Sequence, residues 1–453
     1  MLVTHGIRCA RATAAGFANE DATYSMPNHS GIHSSTIPHD EPIGRNRLLD
    51  LPDTRVLRAA APHPVEPTVS KMSRQRIVHI VEAFGGGVLS MLVHLANHAA
   101  AAGVDVTVLH SIRSETPVDF PTLFRPGIKL VHVAMAREIS IRQDLISVKE
   151  LADMLRECDP TVIHLHSSKA GVLGRAAARI ATPGAKVLYS PHGLSFLRRD
   201  VSRAKQLAYL GFERMAALLG GTIVACSDSE LREIKGRIRA KTAVLVENGV
   251  NVAEVPSRQP RGDRKIVVGM SGRASFQKNH QAFLQLATDL RDSDLTFMWI
   301  GGAPGDIPDQ QENQVISCSG WVTRTRALEL TSQLDIYVQT SRWEGMPVAL
   351  IEAQVAGLPA VVTDVVGNRD VVIHGVTGYV ASNADEMARY VAMLCDDRQL
   401  REQMGESARK FALHRFSMNA IFRQWQSLYG LSPHLRTVPA RRFEPAAPDH
   451  VEA

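Results

Sequence analysis

Ser341 to Gly357 reads SRWEGMPVALIEAQVAG, and the fold is decided in this stretch. It follows an apolar run, Leu334 to Val338, whose length and composition suit a buried strand. A turn carries Trp343, Glu344 and Gly345. Pro347 suits a first helical position, because its ring fixes φ and its missing N–H leaves no donor unsatisfied there. Gly357 is placed to stop the helix in a left-handed conformation, and Pro359 cannot continue it. Glu344 is therefore expected in a loop at the carboxyl end of a strand. Glu352 is expected on the next helix, among Val348, Ile351, Ala353 and Val355, where a carboxylate needs hydrogen-bond donors. Two carboxylates beside a helix start suit a ligand with hydroxyls for the acids and an anion for the helix N-terminus. A nucleotide-diphosphate sugar has both. Read alone, the pair is equally a solvated turn glutamate and a helix-face glutamate.

The rest of the chain bounds what such a site can be. At 453 residues and 45% hydrophobic, it can hold two or three domains with real cores. A formal net charge of +5 is mild for this length. It suits anionic ligands or an anionic membrane surface, whereas a nucleic-acid binder carries a denser basic stripe. Cys9, Cys158, Cys226, Cys318 and Cys395 are scattered, odd in number and without C-x-x-C spacing. That pattern speaks against a disulfide framework or a zinc site and for a reducing compartment. Met1 to Ala10 lacks the apolar core of an export signal, and no run of about eighteen apolar residues occurs. The expectation is a cytoplasmic protein that can rest on the inner face of a membrane.

Residues 1–72 hold seven of the 23 prolines and keep no helical or strand period, so they read as a disordered leader. His29, His33 and His39 within it read as solvated side chains rather than metal ligands. Arg76 to Val81 (RIVHIV) is the first expected strand. Gly85-Gly86-Gly87 follows, then a helical period through Leu89, Leu92, Val93, Ala96 and Ala99, then a strand from Val104 to Leu109. This is a Rossmann-like unit whose glycines let a ligand approach the backbone. Ser90 stands where the dinucleotide fingerprint needs its third glycine, so the loop alone reads as a tight turn, and an NAD oxidoreductase lacks the rest of its signature.

Val162 to Leu165 is another strand, leading into His166-Ser167-Ser168-Lys169-Ala170-Gly171. Ser167 or Ser168 is the expected cap of a helix through Ile180, and Lys169 is either an anion contact or a solvated lysine. Val187 to Tyr189 precedes Pro191-His192-Gly193; a histidine between Pro and Gly at a strand end favours a ligand contact. Leu194 to Leu219 mixes Arg198, Arg199, Arg203 and Lys205 with Phe196, Leu197, Leu207, Leu210 and Phe212. It is either a solvated helix face or a face for anionic lipid. Ile223 to Cys226 reads as a strand, Ser227-Asp228-Ser229-Glu230 as a capping box, and Asn248-Gly249-Val250 as a turn.

Val255 to Arg264 is the expected linker, and the same grammar restarts at Lys265. Strands are expected at Ile266 to Met270, Phe297 to Ile300, Val315 to Val322, Leu334 to Thr340, Ala360 to Thr363 and Gly375 to Val380. Helices are expected at Asn279 to Leu290, Asp385 to Leu394, Leu400 to Arg415 and Ser417 to Tyr429. The resulting division is a leader (1–72), an α/β Rossmann-like lobe (73–255), a second such lobe (256–415), a helix (416–430) and a tail (431–453). Ligands in such sheets sit beyond the carboxyl ends of the strands. Gly272-Arg273, Lys278-Asn279, Glu344-Gly345 and Gly367-Asn368 all fall at such ends. A cation about 4 Å from a phosphate charge contributes about 4 kcal/mol at an effective dielectric near 20, before desolvation is subtracted. Arg273 and Lys278 can therefore hold a diphosphate and stabilise it as it leaves. Asp292-Ser293-Asp294 matches a metal-binding D-x-D in letters but lies in a polar turn away from these loops, so no metal ligand is expected.

These residues resemble the retaining GT-B glycosyltransferases of family 4. The resemblance rests on Gly272-Arg273, Lys278-Asn279, the pair Glu344 and Glu352, Ser341, Gly345, Pro347, Gly357-Leu358-Pro359 and Gly375-Val376-Thr377-Gly378. Gly85-Gly86-Gly87, His192-Gly193, Ser227 and Asn248-Gly249-Val250 match in place in the first lobe. The HSSKAG run is similar to bacterial members that build capsular or exopolysaccharide units on a lipid carrier. The resemblance implies two Rossmann-like lobes with a cleft and a final helix that crosses back to the first lobe. It implies that Glu352 takes the ribose hydroxyls. Glu344, with the N–H groups near Gly345 and Met346, holds the donor sugar, and Arg273 and Lys278, beside Gly272, grip the diphosphate. Gly86 and Gly87 let the first lobe close, and His192 touches the sugar. The implied activity is metal-independent, cofactor-free, retaining transfer from a nucleotide-diphosphate sugar, UDP-linked, to a lipid-linked or growing saccharide. A nucleotide-sugar epimerase shares two lobes but does not need this set of Arg, Lys and two Glu. A non-catalytic nucleotide-sugar binder could dispense with Glu344 and His192.

Overall fold

Runs such as RIVHIV (β1, Arg76–Val81) and IVVGMS (β8, Ile266–Ser271) are largely apolar and buried on both faces, as strands of a parallel sheet covered by helices on each side must be. A computed structural model describes residues 75–113, 115–136, 140–258, 265–291, 295–302 and 316–431, all within one compact unit, Ser70–Ala453. The leader with its histidines, residues 259–264 of the expected linker, Asp292-Ser293-Asp294 and the tail from 432 lie outside the described residues.

The first sheet adds β2 (Asp105–His110), β3 (Lys129–His132), β4 (Val162–His166), β5 (Lys186–Ser190), β6 (Thr222–Ala225) and β7 (Ala243–Leu245) to β1. Its seven strands run in the order β3-β2-β1-β4-β5-β6-β7. The second sheet joins β8 to β9 (Leu295–Ile300), β10 (Ile316–Cys318), β11 (Ile336–Gln339), β12 (Ala360–Thr363) and β13 (Gly378–Ala381). Its order is β10-β9-β8-β11-β12-β13. Every paired register is parallel. In each sheet the order reverses beside the first strand, between β1 and β4 and between β8 and β11. The carboxyl ends there form the crevice at which such sheets take ligands. This is the GT-B architecture that the resemblance implies.

One apolar core belongs to each lobe, and a third runs through both. The shared core joins Leu89, Leu92 and Leu95 of the first lobe to Val348, Leu350 and Ile351 of the second, and to Ile421, Phe422, Trp425 and Tyr429 of the last helix. That helix, Met418–Tyr429, crosses back to the first lobe. Its Tyr429 hydroxyl lies 2.9 Å from His164 Nδ1, Phe422 packs on His98 with ring centroids 5.1 Å apart, and Ser417 bridges Val250.

Several local expectations are corrected. Pro347 is the cap residue, not the first helical one, and the helix is Val348–Ala356, ended by Gly357 at φ 94°. The strand expected over 315–322 shrinks to Ile316–Cys318, because Gly320 turns the chain at φ 70°. Leu194 to Leu219 is a short 3-10 turn, Ser195–Leu197, and then a helix, Arg203–Leu218. The break is set by Ser202, whose hydroxyl accepts from Lys205 N–H. Ser167 is the cap residue of the helix Ser168–Ala181, as expected, but its side chain makes no cap bond: Ser167 Oγ donates to Glu82, and Ser168 Oγ shares a bond with Ser195. The box at Ser227 is half formed. Its hydroxyl accepts from Glu230 N–H, but the Glu230 carboxylate accepts from Cys226 N–H and Gly193 N–H instead of reaching back to Ser227.

Candidate active site

Glu344 sits in the loop after β11, only 7% exposed. Its Oε1 accepts from Ser341 Oγ at 2.7 Å, Lys278 Nζ at 2.8 Å and Gln339 Nε2 at 3.1 Å, and its Oε2 accepts from Gln277 Nε2 at 3.3 Å. Lys278 is brought there by the loop after β8. That loop is tied down where Thr340 Oγ1 donates to the carbonyls of Lys278 and Asn279, and Asn279 turns it at φ 54°. The lysine and glutamate, both largely buried, neutralise each other. In such pairs, removing one partner costs about 3–5 kcal/mol, because the other charge stays buried.

Glu352, 8% exposed, accepts a 2.5 Å bond from Arg324 Nη1, and Arg324 also pairs with Glu254 at 3.5 Å. Burial alone would lower the Arg324 guanidinium; Glu352 and Glu254 outweigh it and hold the group above its ordinary range. Arg324 is thus the donor that a carboxylate at Glu352 demands. It was not singled out from the sequence, although Thr323 caps the helix Arg324–Thr331, and that start signal marks the place. The arginine also bears on His94 of the first lobe, whose imidazole is lowered to about 3, mainly by burial and then by the guanidinium.

Arg273 pairs with Glu115 of the first lobe at 2.7 Å, with 46% of its side chain exposed. It stands at the rim, where such a pair contributes about 0–1 kcal/mol. The other expected residues gather round the start of the helix Val348–Ala356. No side chain caps that start, and its first turn carries no acid. A Cβ on Gly87 would stand 3.4 Å from Val348 Cγ2, and one on Gly345 only 2.7 Å from Gly193 N and 2.9 Å from the His192 carbonyl carbon. The two lobes therefore touch backbone to backbone at Gly193 and Gly345, where a side chain has no room. Asn248 Nδ2 donates to the Met346 carbonyl at 2.8 Å, so this expected turn is also a lobe-to-lobe contact. Gly86 adopts φ 52° and Gly272 φ 148°, and Lys278 fills the space beside Gly272. Gly367 packs on the Glu344-Gly345 loop, where a Cβ on it would meet the Gly345 carbonyl oxygen; the side chains of Asn368 and Lys169 turn elsewhere. Asn368 Nδ2 donates to Thr363 within the second lobe, and Lys169 pairs with Asp144 at 2.7 Å.

His192, at φ 55°, ends a row of imidazoles beneath the cleft. Its Nε2 lies 2.9 Å from His166 Nδ1, and His166 Nε2 lies 3.0 Å from His79 Nδ1. His164 spends Nδ1 on Tyr429 and Nε2 on Ser190, each at 2.9 Å. Desolvation lowers His79 to about 3 and His192 to about 4, and holds His164 and His166 well below the usual range.

Comparison with known proteins bears on the family and the fold. A family described as "Glycosyltransferase Family 4" matches residues 85–254, and one described as "Glycosyl transferases group 1" matches 252–411. The chain belongs to the group 1, family 4 glycosyltransferases. As a family member it is a transferase of glycosyl groups. It is 27% identical over 292 residues to the UDP-Gal:alpha-D-GlcNAc-diphosphoundecaprenol alpha-1,3-galactosyltransferase of Escherichia coli, covering 59% of this chain and 74% of that one. It is 22% identical to the capsular polysaccharide biosynthesis glycosyltransferase CapM of Staphylococcus aureus, over 66% of this chain and 85% of that one. The solved structure of Anabaena HepE in complex with UDP and glucose superposes with a TM-score of 0.63 at 18% identity, covering 79% of this glycosyltransferase and all of that chain. At that identity the likeness bears on the fold.

Proposed function

We propose that this glycosyltransferase moves a sugar, with retention of anomeric configuration and without a metal ion, from a UDP-sugar to a lipid-linked or growing saccharide in capsule or exopolysaccharide assembly. The single observation that supports this most is the meeting of the Lys278–Glu344 pair and the uncapped start of the helix Val348–Ala356 with the His192-Gly193 loop of the other lobe. In this reading residues 73–255 take the acceptor and 256–415 take the donor.

Glu352 accepts the ribose hydroxyls, sharing its carboxylate with Arg324. Lys278 and Arg273 turn toward the pyrophosphate, and the helix N-terminus adds its dipole. Glu344, with the N–H groups of Gly345 and Met346, holds the sugar, and His192 bounds it from the first lobe. The bond from the anomeric carbon to the phosphate oxygen breaks, and the acceptor oxygen bonds that carbon on the same face. The acceptor's proton passes to the departing phosphate oxygen, so UDP leaves and no protein nucleophile is used. Cations and N–H dipoles fixed in advance stabilise the charge that develops on the diphosphate. The E. coli relative's name includes a UDP-sugar and a diphosphoundecaprenol acceptor, which favours the same classes here.

A lipid-linked acceptor places the reaction at a membrane surface. Among the described residues no helix is long and apolar enough to cross one. The helix Arg203–Leu218 supplies a face that would rest on one. Leu207, Met215 and Leu218 are 65%, 66% and 82% exposed, and Phe212 and Leu219 stand beside them. Arg203, Lys205 and Arg214 are exposed at the margins, while the helix's one acid, Glu213, is buried. An apolar stripe edged with cations suits an anionic lipid interface. A thermal-shift screen of nucleotide sugars in EDTA tests the donor class. UDP-sugars should raise the melting temperature, and an absolute need for a divalent cation would overturn the scheme.

A further inference from the structure

The chemistry above uses His192 but leaves His79 and His166 unexplained. Both are fully buried, and they form a single file with it: His79 Nδ1 to His166 Nε2 at 3.0 Å, then His166 Nδ1 to His192 Nε2 at 2.9 Å. Burial keeps all three rings neutral near pH 7. A neutral imidazole has one N–H and one lone pair, so the proton on one ring dictates its place on the next. Only two arrangements are possible. In the first, His79 Nδ1–H donates to His166 Nε2, His166 Nδ1–H donates to His192 Nε2, and His192 carries its own proton on Nδ1. In the second every proton sits on Nε2, and the file runs the other way.

The far end of the file decides between them. His79 Nε2 is buried and has no hydrogen-bond partner among the described residues. In the second arrangement it would be an N–H with nothing to receive it; in the first it is a bare lone pair. Among backbone groups, orphaned buried N–H donors are rarer than under-satisfied acceptors, and the same preference is taken for the ring. His164 does not change the count, because Tyr429 and Ser190 occupy its nitrogens. We infer that His79 and His166 are positioning residues that fix His192 in its Nδ1–H tautomer, making it a neutral hydrogen-bond donor where the two lobes meet. The His192 backbone, at φ 55°, is in a conformation that persists only when its surroundings determine it. The file fixes the ring, and the Glu230 carboxylate, accepting Gly193 N–H at 2.9 Å, fixes the loop. Only the use of this donor, toward an oxygen of the sugar, rests on the proposed function; the tautomer does not.

The ring nitrogens of His79, His164 and His166 also lie within 4.8 Å of one another, close enough to ask whether they hold a metal ion. The two assignments exclude each other, since a metal would take lone pairs that the file uses as acceptors.

The test is ring nitrogen-15 NMR on the substrate-free full chain labelled at histidine, with His192 assigned by its loss in His192→Gln. The expected result at neutral pH is His192 protonated at Nδ1 and bare at Nε2. His166→Asn places an amide N–H where Nδ1–H was and should keep that tautomer. His166→Asp puts an acceptor where Nδ1–H was and should draw a proton to His192 Nε2, with kcat/KM falling about tenfold, the worth of one hydrogen bond of about 1.4 kcal/mol. Activity should recover in His166→Asn. In the unaltered chain, a His192 protonated at Nε2 or charged at neutral pH, or one zinc ion retained per purified chain, would each overturn the inference, as would a His192 Nε2 left bare in His166→Asp. If the tautomer is as stated and no nucleotide sugar is turned over, the file stands and the proposed function falls.

Discussion

Glu352 and Arg324 share one short bond in the second lobe, and each is costly to leave alone. Replacing Glu352 by Ala removes the acceptor proposed for the ribose and strips the buried arginine of its nearest partner. The expected loss in UDP affinity is about 10–100-fold by calorimetry, the worth of one or two hydrogen bonds to a charged group. Unchanged affinity would remove Glu352 from the ribose. Gly345→Ala should act differently. Its new methyl would meet Gly193 N at 2.7 Å, forcing the two loops apart at a cost of about 1–3 kcal/mol. Glu344 and Glu352 were legible in the sequence because a strand, a turn, a proline and a glycine fix their places locally. Arg324 and Glu115 were not, because what gives them meaning is a partner in a distant part of the chain, and only the fold brings the two together.

At the scale of single elements, the helix Arg203–Leu218 divides its residues sharply. Leu210, Glu213 and Ala216 face the core, and the apolar outer stripe has nothing over it among the described residues. Changing Leu207, Met215 and Leu218 together to Ser should abolish co-sedimentation with vesicles containing phosphatidylglycerol. The melting temperature should hold within a few degrees, since surface changes usually stay within about 0.5 kcal/mol each. Vesicle binding that survives the triple change would remove this face from the membrane. The sequence carried the mixture of cations and apolar residues but not the side each one takes, because Ser202 starts the helix later than the periodicity suggests. Strand existence was legible throughout, since buried parallel strands write themselves as apolar runs. Strand ends were less so, as Gly320 shows by cutting β10 short.

Across the whole molecule, burial of neutral histidines makes folding sensitive to acid. His79 and His94 are both lowered from 6.5 to about 3, so the unfolded chain takes up protons that the folded chain refuses. Their contribution is fully present above the unfolded value and is lost as pH falls from about 6.5 toward 3. Each should cost about 2 kcal/mol of stability by pH 5. Chemical denaturation at pH 7 and pH 5 measures this, and equal midpoints would show that these rings are not buried as described. The two sheets and the returning helix were legible as a repeated grammar of strand, loop and helix. The shared core of Val348, Ile421 and Trp425 with the first lobe was not, because no local pattern records which lobe a helix face will meet.

In the proposed function the cleft grips a nucleoside diphosphate with fixed cations and a helix start. Calorimetric titration of UDP into the full chain in EDTA tests it most directly, beside Lys278→Ala checked for folding by circular dichroism. Saturable one-to-one binding by the unaltered chain, weakened at least tenfold in the variant, is the expected result. No binding of UDP or any other nucleoside diphosphate without a divalent cation, or equal affinity in Lys278→Ala, would contradict it.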